Sequence, residues 1–207
     1  MTIIRITYGE TALPESMVFF GGDKDKKVPI ILSFFLVQTG GKNILVDAGC
    51  EDLPGFELTK FQSATAALKD QGIAPKDITD VIITHVHHDH AQCVRAFSNA
   101  RVWVQEQEYA RAPHYFENNP HIATFPEEAT VADGIRVVKI GGHTTGSCVV
   151  ECEKDGKIYV LCGDECYTRY NLEHKVPTAS SKYPENSKKF IEKYTREPYI
   201  CLLCHEA

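Results

Sequence analysis

Thr84-His85-Val86-His87-His88-Asp89-His90 is the stretch from which the fold of this chain can be read. It follows the apolar run Val81-Ile82-Ile83, so a buried strand ends in four imidazoles and a carboxylate. His85 and His87 are two residues apart, and in extended backbone both point to one side. Asp89 and His90 follow where the chain has to turn, so they can face a second point in space. One short run can thus supply ligands to two neighbouring cations. Neutral imidazole and carboxylate suit zinc and similar divalent metals. The competing reading is a solvated histidine-rich loop, a poor match for a position directly after a buried strand.

Other strand ends carry the same chemistry. Residues 30–38 and 43–47 read as a hairpin around Thr39-Gly40-Gly41-Lys42, and the second strand ends at Asp47. A buried Asp47 needs partners, and metal-bound histidines are good ones; alternatively it makes the turn. Residues 131–140, interrupted at Asp133-Gly134, lead into Gly141-Gly142-His143-Thr144-Thr145-Gly146-Ser147. Glycines there let backbone approach a site closely. Residues 148–153 and 157–162 form a further hairpin that runs into Gly163-Asp164, and a last strand, 199–204, is followed by His205. Strands that end in Asp or His can bring those groups to one edge of packed sheets.

Between these lie a strand at 2–8, a loop at 9–29 and a helix at 59–71 ending at Gly72. A short helix at 91–97, a strand at 101–105, a helical turn at 106–111, an irregular stretch at 112–129 and a helix at 184–196 complete the chain. His114 and His121 lack ligand spacing and read as loop residues. Met17-Val18-Phe19-Phe20 is either packing onto the core or one wall of a substrate pocket. The order of elements predicts two mostly antiparallel or mixed sheets with helices outside, in one domain spanning 1–207.

Composition narrows the functional class. A charge of −6 with no basic stripe argues against nucleic acid as partner. No apolar run reaches the length of a membrane span, and the N-terminus reads as a strand, too short for a signal peptide. With eight cysteines and no secretory signal, reduced thiols in a cytoplasmic protein are expected rather than a disulfide framework. Cys201-Leu202-Leu203-Cys204 has the gap of a redox or zinc pair, but it brackets two leucines in a predicted buried strand.

These residues resemble the metallo-β-lactamase superfamily. His85-x-His87-x-Asp89-His90 matches its HxHxDH signature. Gly142-His143-Thr144-Thr145-Gly146-Ser147 resembles its GHTPGS loop, with Thr145 at the usual proline. Leu45-Val46-Asp47-Ala48-Gly49, Gly163-Asp164 and His205 match its remaining motifs in order. The resemblance implies an α+β fold, the αββα sandwich. It also implies two divalent metal ions: zinc first, with iron, manganese or cobalt also compatible. His85, His87 and His143 would hold one ion, and Asp89, His90 and His205 the other. Asp164 would bridge them together with a hydroxide.

Within the superfamily the chain looks most like the N-acyl-homoserine lactone lactonases, through Asp164-Glu165-Cys166-Tyr167. That likeness implies a small-molecule lactone or ester substrate, with Tyr167 at its carbonyl and Asp89 passing a proton to the leaving alkoxide. Tyr167 is otherwise an ordinary packed tyrosine. The chain departs from that group in three places: Gln92-Cys93 replaces a common Gly-Gly, His88 fills an often apolar position, and the sequence stops two residues after His205. The alternatives are a thioester hydrolase similar to glyoxalase II and a non-catalytic metal-binding sensor. A homodimer is compatible with the resemblance.

Overall fold

The alternation of buried side chains explains why the central strands read as unbroken apolar runs. In strand β2 (Lys27–Thr39), Leu32, Phe34 and Leu36 face one layer, while Phe35 and Val37 face another. Strand β4 (Asp80–Ile83) divides in the same way, Val81 and Ile83 against Ile82. A strand buried on both faces has no polar side to display.

The computed structural model describes residues 1–207. Its first sheet has six strands in sequence order. They are β1 (Thr2–Pro14), β2, β3 (Lys42–Val46), β4, β5 (Arg101–Gln105) and β6 (Ile122–Phe125). The first three pair antiparallel and β3 through β6 pair parallel. The second sheet runs β11 (Tyr199–Leu202), β10 (Lys157–Leu161), β9 (Cys148–Lys154), β8 (Ile135–Lys139) and β7 (Glu128–Ala132). It is antiparallel except for the parallel pair β10 and β11. Both sheets are therefore mixed, as expected.

Six short helices join the strands. They are α1 (Glu15–Val18), α2 (Ala64–Asp70), α3 (His88–Ala91), α4 (Glu106–Arg111), α5 (Arg169–Glu173) and α6 (Pro184–Tyr194). Ser63 caps α2, its side chain accepting from the Ala66 amide. Three apolar layers result. Ala67 and Leu68 of α2 pack on the outer face of the first sheet. Phe35, Val46, Val150 and Leu161 fill the space between the sheets. Phe190, Ile191 and Tyr194 of α6 cover the outer face of the second. This is the αββα sandwich. No helix is long and apolar enough to cross a membrane.

The structure departs from the local expectations in several places, among them the stretch 131–140, which belongs not to one interrupted strand but to the antiparallel pair β7 and β8. β1 extends to Pro14 instead of stopping at residue 8, because Thr11, Ala12 and Leu13 find partners in Ile30, Pro29 and Val28. Helix α2 begins at Ala64, not at residue 59. The stretch 112–129 holds β6 and the start of β7. The five-residue helix α5 carries too weak a periodicity to be foreseen. All eight cysteines are free, and all but the half-buried Cys201 are buried.

One ion cluster ties α6 to its sheet. Glu151 accepts from Arg136 Nη2 at 2.7 Å and from the Tyr194 hydroxyl at 2.7 Å, with Lys193 Nζ at 3.4 Å. Burial would raise the Glu151 carboxyl, but the bonds from Arg136 and Tyr194 and the Lys193 charge outweigh it and hold it low. A depressed carboxyl contributes stability that is present above its unfolded value near 4.5 and is lost as pH falls through the folded value. Urea unfolding of the native chain and Glu151→Gln is therefore expected to differ by about 1–3 kcal/mol at neutral pH. The gap should close as pH drops below the carboxylate range; a gap constant with pH would refute the assignment.

Candidate metal centre

Strands β3, β4, β8, β10 and β11 all deliver their C-terminal ends to one edge of the sandwich. Asp47 follows β3, the histidine cluster follows β4, His143 follows β8, Asp164 follows β10 and His205 follows β11. The two sheets meet there through a backbone bond from the Cys148 amide to the Thr84 carbonyl at 2.9 Å.

Helix α3 turns the chain immediately after His87, so that His90 reaches Asp164 Oδ1 while its ring stays 4.2 Å from that of His85. The seven side chains picked from sequence converge. His85 Nε2 and His143 Nε2 each lie 2.9 Å from His87 Nδ1. The same two nitrogens stand 3.5 and 3.3 Å from Asp164 Oδ2. On the other side of that carboxylate, His90 Nε2 and His205 Nε2 are each 3.0 Å from Asp164 Oδ1. Asp89 Oδ2 is 3.5 Å from His90 Nε2 and 3.8 Å from His205 Nε2. His88 points elsewhere, to Tyr115 and Asp52. His114 and His121 take no part in the cluster.

Outer partners decide which ring nitrogens face inward as lone pairs. His90 Nδ1 is 2.8 Å from the Asp47 carboxylate, and His205 Nδ1 is 2.8 Å from the Ile31 carbonyl. Both partners only accept, so both Nδ1 atoms carry protons. Deprotonated at Nε2, as a metal ligand must be, each ring would turn a lone pair toward the space beside Asp164. His90 Nε2 is fully buried and has no hydrogen-bond partner in spite of its short approach to Asp164.

Lone pairs and carboxylate oxygens packed in this way repel unless protons or a metal cation lie among them. The spacings bracket the edge of a tetrahedral zinc site, about 3.3 Å for bonds of about 2.0–2.1 Å. The donor set therefore fits divalent metal. His85, His87, His143 and Asp164 form one group able to hold an ion, and His90, Asp164, Cys204 and His205 form a second.

The surrounding charge agrees. Burial pushes His85 down to about 3, with the His90 charge adding to it, so His85 presents a lone pair. Burial would raise Asp89, but His90 outweighs it and keeps the carboxylate ionised. Burial also opposes charge on His90, yet Asp164, Asp89 and Asp47 together push it well above its usual range. An excess of negative field around buried imidazoles is what a cation would neutralise.

Asp47 serves both purposes considered for it. Its backbone sits at φ 67°, making the turn, and its carboxylate accepts from the Thr84 amide at 2.8 Å as well as from His90. Asn tolerates that backbone, so Asp47→Asn isolates the charge. It is expected to weaken metal binding by about 10- to 100-fold, read by chelator competition, and unchanged affinity would contradict the role.

Several supports gave no signal in the sequence. Glu108 of α4 is buried and accepts from the Val86 amide at 2.9 Å, Thr144 Oγ1 at 2.6 Å and the Gly146 amide at 3.0 Å. It thereby joins the two histidine loops. Glu165 accepts from the Gly142 and His143 amides at 3.0 and 3.1 Å. A Cβ on Gly142 would lie 2.3 Å from Glu165 Oε2, so only glycine permits this wrap. Tyr8 occupies a bulge in β1, and its hydroxyl donates to the Asp89 carbonyl at 2.9 Å. Ser180 Oγ lies 3.3 Å from His143 Nδ1 and donates to Tyr167 Oη at 3.2 Å.

Beside the centre is a cavity of about 170 Å³. Leu13, Met17, Ile30, Leu32, Leu53 and Phe56 form its apolar walls, and His87, Asp89, Tyr167 and His205 its polar end. Met17 therefore lines a pocket, while its neighbour Val18 is buried against Tyr167. Burial pushes the Tyr167 phenol well above its ordinary value, and Asp164 adds to this, so it remains a proton donor at neutral pH.

Fold and site together define the class: the chain belongs to the metallo-beta-lactamase superfamily, whose family model matches residues 30–189. Within that class it is similar to the N-acyl homoserine lactonase AiiA of Bacillus thuringiensis subsp. kurstaki. The two are 32% identical over 209 residues, 86% of this chain and 82% of that protein. N-acyl homoserine lactonase AiiB of Agrobacterium fabrum (strain C58 / ATCC 33970) is 27% identical over 183 residues, 70% of this chain and 66% of that protein. The matched part thus spans about two thirds of AiiB. A solved N-acyl homoserine lactone hydrolase, with the product N-hexanoyl-L-homoserine at its catalytic metal centre, superposes with a TM-score of 0.84. It is 25% identical, and the match covers 99% of this chain and 92% of that one.

Proposed function

We propose that this protein is a metal-dependent hydrolase that opens the ring of N-acyl homoserine lactones. The observation that carries the reading is the pocket, in which apolar walls suited to an acyl chain end at Tyr167, Asp89 and the histidine centre. The similarity to lactonases supports the same substrate class.

In this reading His85, His87 and His143 would hold one divalent ion and Asp89, His90 and His205 the other, with Asp164 shared between them. Zinc suits imidazole and carboxylate donors in near-tetrahedral spacing. When bound, the pair supplies Lewis acidity and lowers the pKa of water toward neutrality.

The protein's own groups do the rest. The cavity seats the acyl chain and turns the lactone carbonyl toward Tyr167. The Tyr167 hydroxyl donates to the carbonyl oxygen as negative charge develops on it. Ser180 already donates to Tyr167 Oη, which leaves the phenol proton free to point elsewhere. Asp89 Oδ2, ionised in the resting site, takes up a proton and passes it to the departing alkoxide.

The test is a hydrolysis panel with metal-loaded protein. It includes acyl-homoserine lactones of graded chain length, simple lactones, aryl esters, S-lactoylglutathione and a phosphodiester. Preference for the acylated lactones is expected. Preference for the thioester would overturn the reading.

A further inference from the structure

The set of four whose ligand atoms all lie within 4.8 Å of one another on the inner side of Asp164 contains a sulfur. Its members are His90, Asp164, His205 and Cys204. Cys204 Sγ is 3.9 Å from Asp164 Oδ1, the oxygen that both His90 Nε2 and His205 Nε2 approach at 3.0 Å. Cys204 is 2% exposed. The backbone holds it firmly: its carbonyl accepts from Ser33 Oγ, and the next residue, His205, is pinned to Ile31 through both its ring and its backbone carbonyl. The thiol's present bonding is weak. Sγ lies 3.5 Å from the Gly163 carbonyl, an S–H contact that a stronger partner would displace. The unpartnered, fully buried Nε2 of His90 belongs to the same group and independently marks it as a ligand position.

We propose that Cys204 Sγ is a ligand to the cation shared by His90, His205 and Asp164, making that half of the centre a mixed nitrogen, oxygen and sulfur site. The inference rests on the two-cation reading above and adds to it a donor that reading does not contain. The bond forms between sulfur and cation, and the thiol proton goes to solvent as the ion enters. Cys204 Sγ and Asp164 Oδ1, 3.9 Å apart, lie close to the separation of about 3.5 Å that tetrahedral zinc bonds of about 2.3 Å to sulfur and about 2.0 Å to oxygen would give. A soft donor biases the site toward zinc, cobalt or cadmium over manganese or magnesium. The two halves of the centre then differ in metal preference, one all nitrogen and oxygen, the other holding sulfur.

Cobalt(II) titration of the full-length metal-free protein tests this without any turnover assay. Visible d–d absorption and equilibrium dialysis report whether two ions bind. A near-ultraviolet thiolate-to-cobalt charge-transfer band reports sulfur ligation. The native protein is expected to show both signals, with the charge-transfer band accompanying one of the two ions. Cys204→Ser and Cys204→Ala should each lose the band while still binding cobalt, and Cys201→Ala should keep it. Far-ultraviolet circular dichroism checks that each variant is folded, and the two Cys204 substitutions guard against failure of either one. Two bound ions with d–d absorption but no charge-transfer band, or a band that survives in both Cys204 variants, would overturn the ligand assignment and leave the two-cation reading standing. No cobalt binding at all would remove both.

Discussion

Asp164→Asn is expected to yield a folded protein that no longer retains a pair of metal ions and whose lactone hydrolysis falls by on the order of 10³-fold or more. Asp164 offers one oxygen to each half of the cluster, and Asn has only one oxygen to give. Its amide NH₂ would be turned toward the lone pairs of His85 and His143 or of His90 and His205. A paired centre would lower the barrier by several kcal/mol, and each 1.36 kcal/mol is about tenfold in rate. Elemental analysis after dialysis against a weak chelator, with kcat on a hexanoyl lactone, reads both effects. A variant that keeps two ions and native turnover would show that Asp164 is not the bridge.

Tyr167→Phe should do the reverse: metal content stays, and kcat falls by about 10²–10³-fold, the usual cost of removing one donor from an oxyanion site. KM should move little, because the phenol's bond strengthens only as charge develops on the carbonyl oxygen. The ring keeps its place in either variant, packed 5.0 Å from His205 and against Val18. A lower rate would therefore not come from lost packing. If Tyr167→Phe hydrolysed lactones as fast as the native chain, Tyr167 would be only part of the cavity wall.

The centre was legible in the sequence because metal ligands are chemically conspicuous. Histidines and aspartates placed directly after apolar runs have little to do there except ligate or orient a ligand, and five such places in the order of the resembled family implied the sandwich. The groups that hold the ligands in place were not legible. Glu108 and Glu165 sit on a short helix and a turn, where an acidic residue is ordinary; only the fold reveals that each gathers three or more donors in a buried space. Tyr8 looked like one more strand residue, because a bulge leaves no trace in local alternation. The continuation of β1 to Pro14 was hidden by Gly9 and Pro14, residues that suggest a loop until Leu13 and Val28 are seen paired. The sequence reads Cys204 as a core thiol beside a leucine pair, and it does pack among core residues. Its nearness to Asp164 depends on how β10 and β11 end side by side, which no local pattern encodes.

The edge at which Thr84 meets Cys148 also has a consequence for assembly. His85, His87, Asp89 and His90 come from the sheet formed by the first half of the chain, and His143, Asp164 and His205 from the other. On the proposed ligand assignment each ion would fasten two layers whose backbones touch along this rim at Cys148 on Thr84 and Ile31 on His205. Neither half can build the coordination sphere alone, so affinity for metal reports on docking of the whole sandwich. Such ions would act as a clasp: free energy released when they bind would be returned as resistance to the layers parting, and chelation is expected to weaken the molecule at this edge.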